Sequence, residues 1–519
     1  MDLEYIYDLR DSLPESVTLR LVTTVVSGAI SFYAALRVVY LLYFHPLAKF
    51  PGPRLAAVSN SWYSYQWLSG RYPWALEKAL QKYGDIVRVA PNELAFITPK
   101  AFTDIFTPHH RYLEDFRKSD FHNRGDDVAG FGFEEDPVKH QKMAKKISPA
   151  FSMRSTSAMF PLVDSHIDFF IQRMKEVGRD AAGVGLFDWT NWFCMDLAGE
   201  LAWGEKMDQM KNMRNSIFLD VLLGFNAFST VIMVFKRFPL LRPLQFLFVP
   251  LGKLSALSTM NAVTQKSVKA RIERRGNTEH PDYFNYVLSE KDPAPKNQRE
   301  LTHISSISFQ LTLANYSPVS DWFYSTFLFL LENPECYRTL TEEIRGSFNN
   351  YDDIKPFALN ELPYLYAVLE ESLRCLQSNG TGLPRISPGA LVDGHYIPKG
   401  THVQYSIFGF SRSPRYFHEP LKFRPQRWLQ ADHPLYDPAF ANDHLKALMP
   451  FSAGPRQCMG KEIAWVEAKL FFAKVLWIFD VSKVSGQKFD LESTLLQYGF
   501  LVKPDMKIRF TSVERNEAH

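Results

Sequence analysis

The stretch Phe451-Ser452-Ala453-Gly454-Pro455-Arg456-Gln457-Cys458-Met459-Gly460 runs straight into an apolar helical pattern from Lys461 to Phe479. A cysteine just ahead of a helix faces unsatisfied backbone N–H groups and the positive end of the macrodipole. Cys458 therefore reads as a thiolate able to ligate a metal. Gly454 and Gly460 let the backbone pass close to a flat cofactor. Arg456, two residues before the sulfur, offers a planar fork of donors to a carboxylate, and Phe451 would shield the sulfur from water and tune a bound metal. A lone cysteine before a helix is more often an inert buried thiol. Four fixed residue types at fixed spacing, however, arise by chance in a chain this long on the order of once in a thousand sequences.

The 519 residues are 46% hydrophobic and 22% charged, which argues for an ordered body large enough to bury a cofactor. A net charge of +3 without a clear basic excess gives no sign of a nucleic-acid partner. The cysteines Cys194, Cys336, Cys375 and Cys458 show no short spacing, so neither a disulfide framework nor a zinc pattern is readable. At the other end of the chain, Leu21 to Leu36 carries no charge and the apolar run resumes after Arg37 to Phe44. That span exceeds the ~20 residues needed to cross a bilayer. The competing readings are a buried core helix and a cleaved signal peptide, but His45-Pro46, Lys49 and Pro51-Gly52-Pro53 follow in place of a small-residue cleavage site. The charge bias across the segment puts residues 1–20 on the luminal side, 21–44 in the membrane, 45–54 in a proline-rich hinge and 55–519 in the cytosol.

Helical periodicity marks Phe187–Leu201, Asn215–Val234, Leu301–Leu331 and Leu362–Leu376, and punctuated segments around Gly389–Val403 and Leu496–Phe510 read as strands. The expected fold class is mainly α with a small β region. Ser216–Leu254 is unusually apolar, and reads equally as a core helix pair or as a substrate entrance dipping into the membrane.

The cysteine string resembles the cysteine loop of the cytochrome P450 family, and further landmarks follow the family's order from about Tyr43 to Phe510. Leu42-Tyr-Phe-His-Pro-Leu-Ala-Lys-Phe-Pro-Gly-Pro53, Lys82-Tyr-Gly-Asp-Ile-Val-Arg88 and Pro91-Asn-Glu-Leu94 resemble fungal members of secondary metabolism, narrowly the group that includes trichothecene-pathway hydroxylases. Glu371-x-x-Arg374, which alone would read as a solvated helical pair, is similar to the family's buried charge cluster that is completed by Arg427 in Phe423-Arg-Pro-Gln-Arg427-Trp.

The resemblance implies a cytochrome P450 fold behind one N-terminal transmembrane helix, in the endoplasmic reticulum membrane. It implies haem b with Cys458 as axial thiolate, and propionate contacts from Arg456 and Arg385. Electrons are expected from a separate NADPH-cytochrome P450 reductase, because no Gly-x-Gly-x-x-Gly follows a strand. The substrate expectation is an apolar secondary metabolite, with Phe309 and the Tyr498–Leu501 turn as candidate walls.

Two segments depart from the family. Ala314-Asn-Tyr-Ser-Pro-Val319 stands where an acid and a threonine are usual; Ser317 replaces the acid and Pro318 the first threonine. Proline should kink the helix and free the carbonyl of Ala314. Asn315 and Ser317 are then the candidate catalytic residues, with water at Ser317 relaying protons in a monooxygenase. The alternatives are radical coupling, ring rearrangement or isomerisation, or a haem-binding sensor without turnover. In the propionate-binding helix His140 is retained but the following arginine is not, and Lys145 is the candidate substitute. Asn379-Gly-Thr381 and Asn315-Tyr-Ser317 match the glycosylation pattern, and neither is expected to be modified.

Overall fold

A computed structural model describes residues 15–107, 114–122, 130–378, 380–487 and 490–514. Residues 1–14 of the expected luminal segment, and Asn379 of the glycosylation pattern, lie outside the described residues.

Helix α1, Glu15–Val39, passes into a π turn, Tyr40–Phe44, and Leu19–Phe44 together form an apolar helix of 26 residues, long enough to span a bilayer. Arg88 ties its end to the body: the guanidinium donates to the carbonyls of Leu41 and Pro91, both at 2.7 Å, and the Arg88 backbone N–H donates to Pro51 at 2.8 Å. The hinge is thereby pinned at both ends.

Five further helices frame the site: α2 (Pro137–Ile147), α3 (Leu186–Trp203), α4 (Gln298–Glu332), α5 (Pro363–Cys375) and α6 (Lys461–Ile478). Asn297 caps α4 by accepting the Glu300 N–H at 3.0 Å. The helix then runs through Pro318 to Glu332, so the proline does not end it. Where α3, α4 and α6 meet, Phe193, Phe323, Phe327, Phe471 and Phe472 form an aromatic core, with ring centroids at 4.6 Å for Phe323 and Phe471 and 4.9 Å for Phe327 and Phe472. Burying each such ring contributes about 1.5–3 kcal/mol. The helix behind the cysteine is thus fixed against the central helix.

The expected helix Asn215–Val234 is two helices, Ile217–Gly224 and Asn226–Phe235, bent by 45° at Phe225. Their inner faces join the core, whereas the following 3-10 turns, Pro239–Phe248 and Leu251–Lys253, leave Leu240, Phe246, Leu247 and Leu251 exposed.

A five-stranded sheet uses β1 (Ile86–Ala90), β2 (Glu93–Phe96), β3 (Arg117–Lys118), β4 (Arg385–Ile386) and β5 (His402–Tyr405), in the order β1-β2-β5-β4-β3. Only the β2–β5 pairing is parallel. Two short hairpins and a three-stranded sheet complete a mainly helical fold with small β regions.

Candidate functional site

The cysteine loop is built by two left-handed residues, Ser452 (φ 61°) and Gly454 (φ 70°). A Cβ on Gly454 would lie 2.1 Å from the carbonyl oxygen of Phe106, so the glycine is required by a close approach of protein backbone. Gly460 is different: a Cβ there would meet nothing closer than 3.8 Å, and its φ is −82°. Nothing in the protein itself demands glycine at 460. The loop closes when the Cys458 N–H donates to Phe451 O at 2.9 Å, and the first helical bond runs from Ala464 to Gly460.

The Cys458 side chain is reachable by solvent, yet enough protein surrounds it that burial pushes its thiol pKa up, against a hydrogen bond from the Gly460 N–H that lowers it. The helix-terminus stabilisation expected from sequence is therefore outweighed by desolvation, and ionisation would have to come from a bound metal, which deprotonates a coordinating thiol outright. Phe451 packs edge-on to Trp322 of α4 at 6.2 Å, and Trp322 packs edge-on to Trp465 of α6 at 5.0 Å.

Behind the loop, Glu371 and Arg374 of α5 meet Arg427, all three fully buried. The Glu371 carboxylate accepts two bonds from Arg374, both at 2.8 Å, one from Arg427 at 3.1 Å, one from the Arg424 backbone at 2.8 Å and one from Trp428 at 2.9 Å. These donors hold its pKa below the usual carboxylate value despite its burial.

Beside the loop, cations converge. Lys118 of β3 and Arg385 of β4 are direct cross-strand partners, Arg456 is close enough to act on both, and all three act on His140 of α2. Burial and its cationic neighbours push Lys118 down to about 7, His140 to about 4 and Arg385 to about 10. Like charges directly opposite in a sheet destabilise it. Arg385 Nε is also buried without a partner, and among the described residues neither Arg385 nor Arg456 forms a salt bridge to a carboxylate. A group bearing two carboxylates would answer this arrangement. Arg456 is steered by donating to Glu134 O at 2.8 Å, while the neighbouring Gly132 N–H donates to Gln310 of α4 at 2.7 Å. His140 is buried and stacks on Phe131 with centroids 4.6 Å apart.

Lys145 is exposed on α2, and the cations acting on His140 are Arg456, Lys118 and Arg385. Along α4, Ala314 and Pro318 are exposed one turn apart, Asn315 is half-buried and Ser317 is buried. Phe309 is half-buried, and the Tyr498–Leu501 turn is clasped by Asn226, which donates to Phe500 O at 3.1 Å and accepts from Phe500 N at 2.7 Å.

The model of the family described as Cytochrome P450 matches residues 53–508. The chain belongs to the cytochrome P450 family. It is similar to cytochrome P450 monooxygenase TwmD of Talaromyces wortmannii, 44% identical across 95% of this chain and 96% of that protein. It is also similar to cytochrome P450 monooxygenase BOA3 of Botryotinia fuckeliana, 32% identical over 92% of this chain and 93% of the relative, and to poxC of Penicillium oxalicum, 31% identical over 92% of each. This P450 is a monooxygenase of the haem-thiolate class, with an N-terminal helix consistent with a membrane anchor. Monooxygenation was the first of the sequence-based mechanistic readings.

Proposed function

We propose that the chain holds haem b with Cys458 as the axial ligand and oxidises an apolar secondary metabolite, using electrons from NADPH-cytochrome P450 reductase. The observation that carries this reading is the cation cluster: Lys118 and Arg385 paired across adjacent strands beside Arg456 and His140, next to an accessible cysteine. Arg385, Arg456 and Lys118 would hold the propionates, and His140, neutral at physiological pH, would donate an N–H. Bound haem supplies oxygen activation at its iron.

The protein's own residues do the rest. Phe451, Trp322 and Trp465 pack edge-on against one another and would brace the cysteine loop between α4 and α6. The clasp between Asn226 and Phe500 fixes a wall of the substrate side, and Phe309 offers apolar surface. The exposed apolar turns at 239–254 follow Arg237, whose carbonyl accepts from Asn60 at 3.4 Å a few residues past the hinge, which supports contact with the same membrane that receives α1. That membrane is assigned as the endoplasmic reticulum, with the body in the cytosol.

Purified protein with reductase, NADPH and isotopically labelled dioxygen, offered a panel of apolar fungal metabolites, tests the reading. A product carrying one labelled oxygen and requiring NADPH is expected. Product formed without dioxygen would favour rearrangement, and tight binding without turnover across the panel would favour a sensor.

A further inference from the structure

Between α4 and the cation cluster lies a tight turn at residues 130–134, closed by the N–H groups of Phe133 and Glu134, which both donate to Gly130 O, at 3.3 and 3.1 Å. The cations rest on the atoms of this turn. Gly132 O accepts from Lys118 Nζ, Glu134 O accepts from Arg456 at 2.8 Å, and the Phe131 ring stacks on His140. Three members of the cluster thus take their places from one short turn, while Arg385 is placed separately by the pairing of β4 with β5. The end of the turn runs on towards α2, where the Asp136 N–H donates to Glu134 Oε1 at 2.9 Å. Its middle is held by α4. Gln310, buried on that helix, accepts the Gly132 N–H on Oε1 at 2.7 Å and donates from Nε2 to Ser306 Oγ at 3.2 Å. The amide lies hard against Gly130, where a Cβ would fall 2.2 Å from Nε2, so a side chain there would push the amide aside.

The helix itself has no need of an amide at 310. A leucine of similar size would pack there and leave the Gly132 N–H without a partner, which is costly in a buried place. We propose that Gln310 is a positioning residue for the cofactor's propionates: from α4 it sets the 130–134 turn, and the turn aims Lys118, Arg456 and His140 at the two carboxylates. This rests on the haem-thiolate reading. Gln310 acts through the Gly132 N–H, and its effect reaches the cations by way of two backbone carbonyls. Lys118 shows why that matters. It stands directly opposite Arg385, where like charges repel. With Gly132 O held in place, the Lys118 ammonium has an acceptor beside Arg385; without it, repulsion across the strands decides where the ammonium goes. Gln310 also shares a face of α4 with Ala314, four residues on. One side chain therefore joins the unusual segment 314–319 of the central helix to the cations at the edge of the cofactor site.

The test uses purified full-length holoenzyme. In Gln310→Leu, haem should pass to apomyoglobin roughly ten times faster than from the wild type, the loss expected when one buried N–H is left unpaired, and not more, because Arg385 stays in place. The propionate-bending bands of the resonance Raman spectrum should shift in that variant while the carbon-monoxide thiolate band persists. Gln310→Glu keeps an oxygen for the Gly132 N–H, and the Ser306 hydroxyl can turn to donate to it. Its transfer rate and propionate bands should therefore return close to the wild type. Gly130→Ala reaches the same amide from the side of the turn and should reproduce the Gln310→Leu defect, so the test does not hang on the folding of one variant. Wild-type transfer and unmoved propionate bands in Gln310→Leu and Gly130→Ala, or a Gln310→Glu protein as defective as Gln310→Leu, would overturn the proposal. A wild type that lacks the thiolate band would sink the haem-thiolate reading instead.

Discussion

Replacing Glu371 by glutamine removes the anion at the centre of the proximal charge cluster, and the structure says which cation suffers. Arg427 keeps Asp443 as a partner. Arg374 keeps the carbonyls of Ser411, Pro420 and Lys422 and the Cys375 sulfur, and among the described residues it has no second carboxylate within salt-bridge distance. One fully buried guanidinium is left uncompensated. Removing one partner of a buried pair costs about 3–5 kcal/mol, a large share of a folding stability of roughly 5–15 kcal/mol.

Resistance of the carbon-monoxide thiolate band to urea, in detergent-solubilised protein, measures the effect. The double variant Glu371→Leu/Arg374→Met should recover more than half of the loss, because a buried pair replaced by apolar groups is often neutral. A Glu371→Gln protein within about 1 kcal/mol of the wild type would refute the reasoning. The same carboxylate has a depressed folded pKa, so its contribution is fully present above its unfolded value near 4.5 and is lost as pH falls through the lower folded value.

Three further outcomes are expected. In haem-free protein, NMR should show His140 titrating near 4. The folded state then resists protonation, so stability falls as pH drops from about 6.5 to 4, a slope that His140→Phe removes. Gly454→Ala places a methyl group against Phe106 O at a positive φ, which costs at least ~1–2 kcal/mol in backbone strain alone; haem retention measured by gel filtration should fall, while Gly460→Ala, which meets protein only at ordinary van der Waals distance, should retain more. Deleting residues 1–44 should leave residual binding to phospholipid vesicles in flotation, and adding Leu240→Ser, Phe246→Ser and Leu247→Ser should abolish it. Unchanged flotation would remove the 239–254 surface from the membrane contact.

Local rules made the cysteine loop and the long helices legible. Periodicity alone placed Leu186–Trp203 and Gln298–Glu332 within a few residues, and the Glu371, Arg374 and Arg427 cluster became readable once landmarks stood in order. The rest depended on tertiary contacts. Lys118 sits on a two-residue strand whose partner, Arg385, is far away in sequence, so no window of residues exposes the pair. Spacing sets Lys145 five residues after His140 but says nothing of burial: on α2 Lys145 is exposed and His140 is buried. At the break, Asn226 turns its side chain to Phe500, a contact that periodicity cannot contain.

The most direct test of the central claim is the reduced, carbon-monoxide-bound spectrum of the wild type beside Cys458→Ser. Thiolate ligation should give the red-shifted Soret band in the wild type and lose it in the variant. A wild-type protein that binds haem without that band, or a Cys458→Ser protein that keeps it, would contradict the assignment of the sulfur to the iron.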